Sequence, residues 1–226
     1  MASKVLLGLT TFGSDWREKI KELIKLEIDE VALFPTGLNE KERLELYSLL
    51  DKSTIKKIPH VHLRNDMKPE ELEYFIKNFG TKYFNLHCEK EFPLVYNYDK
   101  YLPMIYWEDV YTNPTIEELE KSGGICFDFA HAEHDRLIGD QEKYDDFIAK
   151  ANKYKIGCCH VSAIKEEIRI DEMGYTRRDS HVFTSIKDLE YLKNYKQYFP
   201  EFISIELENS IAEQLEVKKY IETLIS

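Results

Sequence analysis

The feature that most constrains the fold is a regular alternation of short apolar runs with amphipathic segments. The apolar runs have the length and composition of buried strands, whereas the segments between them have helical periodicity. Eight such strands in 226 residues give about 28 residues per strand–helix unit. The predicted strands are 4–10, 30–34, 57–63, 82–87, 104–107, 125–128, 155–161 and 202–207.

Several helix boundaries can be read from the residue types. Asn39 is a preferred N-cap, Pro69 fits the first turn of a helix, and Gly80 fits the position after its end. Thr115 and Glu118 have the spacing of a capping box. The predicted connections are helices at 14–26, after Asn39, and at 68–78, 115–121, 140–154, 185–198 and 210–224, with a stunted helix in the aromatic segment 88–102 and a long polar loop over 162–184.

The alternation indicates parallel strands joined by crossover helices. Eight units most economically close into a (β/α)8 TIM barrel, so we expect an α/β protein with a single compact domain over residues 1–226. An open, doubly wound sheet is the alternative, and it would normally carry a glycine-rich phosphate-binding turn after the first strand. Gly8 and Gly13 do not form the G-x-G-x-x-G pattern, which disfavours dinucleotide binding.

Composition argues against several classes of protein. No run of 18 apolar residues occurs, so we predict no membrane span. The N-terminus leads directly into the first strand and leaves no room for a signal peptide, so we expect a cytoplasmic protein. The four cysteines fit neither a disulfide framework nor a zinc knuckle. A net charge of -11 disfavours a broad basic surface for nucleic acid, although a local basic groove is compatible with it.

Carboxylates and imidazoles recur at the carboxyl ends of the predicted strands. In segment 123–134 a glycine pair precedes a short strand, and Asp128 and His131 stand where this strand ends and a loop begins. Taken alone, Asp128 would more simply cap the next helix, with His131 packed beneath it. In a TIM barrel, however, the carboxyl ends of the strands form the functional face. The candidates at these ends are His60, His62, His87, Glu108, Asp109, Asp128, His131, His160, Asp179, His181, Glu206 and Glu208.

These candidates include six of the seven histidines, and His134 lies just outside the set. Histidines scattered over a surface would not concentrate at one end of the strands. Imidazole with carboxylate suits Zn, Mn, Co or Fe better than the all-oxygen shell of calcium, so we predict a divalent metal site with one or more ions. Cys126 and Cys158 lie two residues before Asp128 and His160 and could face the same way, but small buried core residues are the commoner role of such cysteines.

Four short segments resemble the xylose isomerase-like barrel superfamily, and within it the branch of sugar-phosphate isomerases, epimerases and endonuclease IV. The segments are FDFAHA at 127–132, HVSA at 160–163, RRDSH at 177–181 and SIELE at 204–208. The resemblance implies a metal at the ends of strands five to eight, held by Glu108, Asp128, His160 and Glu206. It also implies that Glu108 and Glu206 move the protons of the substrate and that His131 binds the substrate.

Endonuclease IV uses a larger set of ligands for a three-zinc cluster. The resemblance to it implies further metal contacts at His60, His87, His131, Asp179 and His181, and His62 on the third strand is another candidate for a metal or substrate contact. This chain departs from the branch because it is shorter and its loops for gripping DNA are trimmed. In addition, Cys88 and Glu89 replace the usual glycine and proline after the strand-four histidine.

Three functions are compatible with these observations. The first is a divalent-metal-dependent isomerase or epimerase that acts on a sugar or sugar phosphate by proton transfer next to a carbonyl. The second is metal-dependent phosphodiester hydrolysis at abasic sites in DNA, and DNA is a partner only in that case. The third is a metal-free binding barrel. Lys165 and Arg177, in the segment after strand seven, are candidate phosphate contacts, although a solvated charged loop would have the same composition.

Overall fold

Eight parallel strands close into a barrel in the computed structural model, which describes residues 3–12, 16–171 and 174–225. The barrel strands are β1 (Lys4–Thr10), β2 (Val31–Phe34), β3 (His60–His62), β4 (Tyr83–His87), β5 (Ile105–Glu108), β6 (Gly124–Asp128), β7 (Ile156–Val161) and β10 (Phe202–Ile205). Around the barrel their order is β1, β10, β7, β6, β5, β4, β3 and β2. The predicted α/β class, TIM barrel and single compact domain are confirmed.

Helices that connect the strands form the outer layer. They are α1 (Trp16–Lys25), α2 (Glu40–Leu50), α3 (Pro69–Phe79), α4 (Ile116–Lys121), α5 (Phe129–Ile138), α6 (Gln141–Lys153) and α7 (Ile211–Ile225). Asn39 caps α2, Pro69 opens α3, and Gly80 ends α3 with a φ of 64°, as predicted. The predicted start of the first helix at residue 14 lies outside the described residues. No helix within the described part of the chain is long and apolar enough to cross a membrane.

Helix α5 follows β6 without a loop, so the prediction that His131 lies in a loop is wrong. Asp128 caps this helix and accepts hydrogen bonds from the amides of Ala130, at 2.7 Å, and His131, at 3.0 Å. Gly139 follows the helix with a φ of 83°. The first seven residues of α5 are all buried. A helix that is buried on every side has no polar face, and its periodicity is therefore invisible in the sequence.

An antiparallel hairpin of β8 (Ala163–Ile170) and β9 (Thr176–Ser180) covers α5, so the long polar loop predicted over 162–184 is wrong. The His134 Nδ1 atom on α5 accepts a hydrogen bond from the Arg178 amide at 3.1 Å. Burial lowers the pKa of His134 to about 4, so this nitrogen is unprotonated at neutral pH and can accept. The hairpin thereby lies beside the carboxyl end of the barrel, where Arg169 and Arg177 line a cavity.

Two connections are 3₁₀ rather than α-helical. The helix predicted at 185–198 consists of 3₁₀ segments at Ile186–Asn194 and Lys196–Tyr198. Its fully buried residues Leu189 and Leu192 are three positions apart, which matches the three residues per turn of a 3₁₀ helix. The predicted stunted helix is a 3₁₀ segment at Asp99–Met104.

Aromatic side chains fill the amino end of the barrel. The ring of Tyr83 lies 5.3 Å from that of Tyr106 and 5.8 Å from that of Phe202, measured between centroids. Gly157 makes room for this layer, because a Cβ atom there would lie only 2.1 Å from the Tyr106 ring. The amino end is therefore closed by packing, and the polar side chains collect towards the opposite end.

Gln214 on helix α7 supplies hydrogen bonds at the junction of the first and last barrel strands. The Gly8 amide donates to Gln214 Oε1 at 2.8 Å, and Gln214 Nε2 donates to the carbonyl oxygens of Gly8, at 3.0 Å, and Leu207, at 3.1 Å. Gln214 is fully buried. A side-chain amide thus replaces the missing main-chain partners of β1 at its junction with β10.

Replacing Gln214 by Leu should lower the free energy of unfolding by about 3 kcal/mol, because it leaves buried main-chain groups without partners. Urea unfolding followed by circular dichroism would measure the change. Glu216→Gln on the same helix is the matched control, since Glu216 is exposed and its substitution should leave the unfolding midpoint unchanged. Equal stability of Gln214→Leu and wild type would contradict this role for α7.

Candidate metal centre

Four side chains meet at the carboxyl end of the barrel, each from one of four neighbouring strands. Glu108 ends β5, Asp128 ends β6, His160 lies near the end of β7, and Glu206 directly follows β10. The parallel register sets Asp128 beside His160. Their potential ligand atoms all lie within 4.8 Å of one another. We call these four residues the carboxylate–imidazole cluster.

The imidazole of His160 is the centre of the cluster. Its Nδ1 lies 3.1 Å from Glu206 Oε2, 3.2 Å from Glu108 Oε1 and 3.7 Å from Asp128 Oδ2. A single N–H group can serve only one of these oxygens well, and Asp128 Oδ2 is buried without a hydrogen-bond partner. Buried carboxylates this close together repel one another strongly. One nitrogen and three carboxylates would satisfy Zn, Mn, Co or Fe, so the residues fit a divalent cation.

The electrostatics of the cluster keep its glutamates ionised. Burial alone would raise the pKa of Glu108, but the charge of His160, together with hydrogen bonds from His160 and His62, outweighs burial and holds that pKa well below its usual range. Burial also opposes ionisation of Glu206, yet His160 and His181 lower its pKa to about 2. The same carboxylates raise the pKa of His160, against the effect of its burial. Both glutamates therefore carry negative charge at neutral pH.

A second group of potential ligands shares Glu108 with the cluster. Glu108 Oε2 lies 3.3 Å from His62 Nε2 and 3.7 Å from His87 Nε2, and these two ring nitrogens are 3.1 Å apart. Burial lowers the pKa of His87 to about 3, which keeps its ring neutral. The two oxygens of Glu108 thus face different groups: Oε1 faces His160, and Oε2 faces His62 and His87. A carboxylate in this position can bridge two cations.

Comparison with known proteins adds the fold. No protein-family model matches the chain, and no curated protein matches it. A xylose isomerase domain protein from Planctomyces limnophilus superposes with a TM-score of 0.55 and 11% identity over 99% of this chain and 96% of that chain. The chain has the xylose isomerase-like fold. The structure of AsfvAP:AG aligns over 100% of both chains with 13% identity and a TM-score of 0.42, which is too low to indicate a shared fold.

His60 lies one layer below the cluster inside the xylose isomerase-like barrel. Its Nδ1 is 2.7 Å from Ser204 Oγ, and its Nε2 is 2.9 Å from Asn85 Oδ1. Both ring nitrogens therefore have hydrogen-bond partners, and the role of His60 as a further metal or substrate contact stays a prediction. Cys126 and Cys158 are buried beside it in the barrel, and the potential ligand atoms of the three residues lie within 4.8 Å of one another.

His131, Asp179 and His181 stand at the side of the cluster. His131 Nδ1 lies 2.5 Å from the carbonyl oxygen of Asp109 and 3.8 Å from Glu108 Oε1. Asp179 is held by Arg177, whose Nη2 donates to Oδ2 at 2.9 Å. His181 lines the same cavity. Within the described residues, neither Asp179 nor His181 brings a ligand atom close enough to join the cluster.

A cavity of about 320 Å³ opens above the cluster. Phe12, Tyr111 and Arg177 contribute to its wall. Lys165, the other candidate phosphate contact, lies in a different surface groove, where its Nζ donates to Asp188 Oδ2 at 2.6 Å. The structure thus brings Arg177 to the cavity but not Lys165.

Two residues that contact the site are missing from the sequence prediction. Asn85 Nδ2 donates to Glu108 Oε2 at 2.5 Å, and its position two residues before His87 on one strand is a signal that both face inward. His134, which anchors β9, lies three residues after His131 and therefore on the same face of α5.

Proposed function

We propose that this barrel is a divalent-metal-dependent enzyme that isomerises or epimerises a sugar or sugar phosphate by proton transfer next to a carbonyl. The observation that carries the proposal is the carboxylate–imidazole cluster at the carboxyl end of the strands, where TIM-barrel enzymes have their active sites. The xylose isomerase-like fold supports this class of reaction.

Glu108, Asp128, His160 and Glu206 would hold the cation, which would supply Lewis acidity to a carbonyl. Glu206 reaches the cavity with an ionised carboxylate, so it can take a proton from the carbon next to that carbonyl. Glu108 also lines the cavity, and once its carboxylate has taken up a proton from solvent it can return one to the substrate. Return to the same carbon from the other side would give an epimer, and return to the neighbouring carbon would give an isomer.

The cavity suits a small polar molecule. Its volume of about 320 Å³ lies at the lower end of the range for small-molecule sites. Tyr111 lines the cavity, and the Arg177 guanidinium carbon lies 5.5 Å from the centre of its ring. Arg177 could hold a phosphate if the substrate carries one.

Phosphodiester hydrolysis is the second candidate, and one observation favours it. His62, His87 and Glu108 form a second ligand group that shares Glu108 with the cluster, and paired metal ions are common in enzymes that cleave phosphodiesters. The net charge of -11 argues against a DNA substrate, because DNA binding depends largely on contacts between basic side chains and phosphates.

Metal content and substrate distinguish these functions. Protein purified without chelator should contain at least one transition metal ion per chain, measured by elemental analysis. In heavy water, the isomerase should introduce solvent deuterium into a sugar or sugar phosphate at the carbon next to the carbonyl. Metal-dependent cleavage of an abasic oligonucleotide, without exchange on any sugar tested, would instead establish hydrolysis. A chain that takes up no metal after reconstitution would leave only the metal-free binding barrel.

A further inference from the structure

A buried chain of hydrogen bonds runs beneath the carboxylate–imidazole cluster. Asn85 Nδ2 donates to Glu108 Oε2 at 2.5 Å, Asn85 Oδ1 lies 2.9 Å from His60 Nε2, and His60 Nδ1 lies 2.7 Å from Ser204 Oγ. Asn85, His60 and Ser204 are all fully buried. These side chains come from β4, β3 and β10, so the chain crosses the interior of the barrel.

Chemistry allows one direction for the hydrogen bonds in this chain. A Glu108 carboxylate that binds a metal ion can only accept, so the amide nitrogen of Asn85 must face it, as it does at 2.5 Å. The amide oxygen of Asn85 then faces His60 and needs a donor, which places the imidazole proton on Nε2. In this tautomer His60 Nδ1 is an acceptor for the Ser204 hydroxyl. Each group thus has one defined role.

The His60 ring also supports the centre of the cluster. It stacks against the His160 ring with centroids 5.3 Å apart and an angle of 28° between the planes. His60 therefore contacts the cluster twice, through Asn85 to Glu108 and through its ring face to His160. Asn85 occupies Nε2 of His60 and Ser204 occupies Nδ1, so neither ring nitrogen is free for a metal ion.

We propose that Asn85 and His60 are positioning residues that fix the orientation of the Glu108 carboxylate. Because Asn85 holds Oε2, this oxygen stays directed towards His62 and His87, and Oε1 stays directed towards His160. Without the amide donor, the carboxylate could rotate and lose its place between the two ligand groups. The inference deepens the proposed function, since it assumes that Glu108 binds a metal there.

Titration of metal-free protein with Co²⁺ tests this role without an activity assay. Asn85→Leu keeps approximate size but removes the amide, and it should weaken Co²⁺ binding about 10–100-fold, as is typical when the partner of a metal ligand is lost. His60→Leu should weaken binding in the same direction. His60→Gln should restore much of the affinity, because a glutamine amide can donate to Asn85 Oδ1. If His60 instead served as an imidazole ligand, His60→Gln would bind Co²⁺ no better than His60→Leu.

Thr81→Val is the matched control. Thr81 precedes β4, is buried, and donates a hydrogen bond to the Ile58 carbonyl oxygen at 2.7 Å, so it takes no part in the chain beneath the cluster. Its loss should lower thermal stability while Co²⁺ affinity stays at the wild-type value. If Asn85→Leu behaves like this control, losing stability but not affinity, the positioning role is wrong.

The protonation of His60 gives a measurement that needs neither variants nor bound metal. ¹⁵N NMR of the imidazole should show the proton on Nε2, the nitrogen that faces Asn85 Oδ1. A ring protonated only on Nδ1 would reverse the chain and overturn the inference. If the wild-type protein binds no Co²⁺ but shows the Nε2–H form, the proposed function fails while the hydrogen-bond chain to Glu108 stands.

Discussion

Replacing Glu206 by glutamine should lower the rate of isomerisation or epimerisation by about 10²–10⁴-fold, which is the usual loss when a general base is removed. The substitution keeps the shape of the side chain and one oxygen but removes its charge. Incorporation of solvent deuterium into the product should disappear with the activity. The measurement is the initial rate together with mass spectrometry of the product formed in heavy water.

The metal content of Glu206→Gln must be measured alongside the rate, because Glu206 is also a candidate ligand and loss of the ion would deepen the defect. Glu201→Gln is the matched control: Glu201 precedes β10 at the opposite end of the barrel and accepts a hydrogen bond from Tyr83 there. This control should retain wild-type exchange. Undiminished exchange in Glu206→Gln with full metal content would exclude Glu206 as the base.

The cluster illustrates what a single sequence can predict about a barrel. Glu108, Asp128, His160 and Glu206 are separated by up to 98 positions along the chain, the difference between 108 and 206. They nevertheless come together because each stands at the carboxyl end of a parallel strand, and such ends share one face. Recognition of the strands was therefore enough to place these residues among the candidates at that face, and the resemblance to a known superfamily singled out the four.

The depth at which a side chain lies inside the barrel is harder to predict than the end of the barrel at which it lies. His60 and His62 are two residues apart, and both point inward from β3. Only the stagger of β3 against its neighbours decides that His62 meets His87 and Glu108 while His60 meets Ser204 one layer lower. The sequence of one strand contains no information about that stagger, so the two histidines were equivalent candidates.

The hairpin and α5 were missed for different reasons. The hairpin covers α5, so α5 lacks the polar face of an exposed helix, whereas β8 is largely exposed and rich in charge, unlike the buried strands of the barrel. Local signals were present nonetheless: Asp128 and Gly139 bracket the helix, and Gly174 has a φ of 85° in the turn region of the hairpin. Capping and turn residues were therefore better guides here than hydrophobic periodicity.

A buried ion pair joins α2 to α3 in the outer layer of the barrel. Arg43 donates to both carboxylate oxygens of Glu71, at 2.9 and 3.1 Å, and the Tyr47 hydroxyl donates to the same carboxylate at 2.5 Å. Burial alone would raise the pKa of Glu71, but Arg43 and Tyr47 lower it. The carboxylate therefore stays charged only because its partners are present.

Arg43→Ala should lower the free energy of unfolding at neutral pH by about 3–5 kcal/mol, because it leaves the buried carboxylate of Glu71 without its counter-charge. In wild type the depressed pKa of Glu71 contributes stability above its ordinary value of 4.5, and this contribution is lost as the pH falls through the lower folded-state value. The difference in unfolding free energy between wild type and Arg43→Ala should therefore become smaller in acid. Urea unfolding from pH 7 to pH 3 measures this difference. The control is Glu45→Gln, which removes the exposed ion pair with Arg17 and should keep the wild-type unfolding midpoint. A gap that is small at pH 7, or that widens in acid, would show that Glu71 does not depend on Arg43.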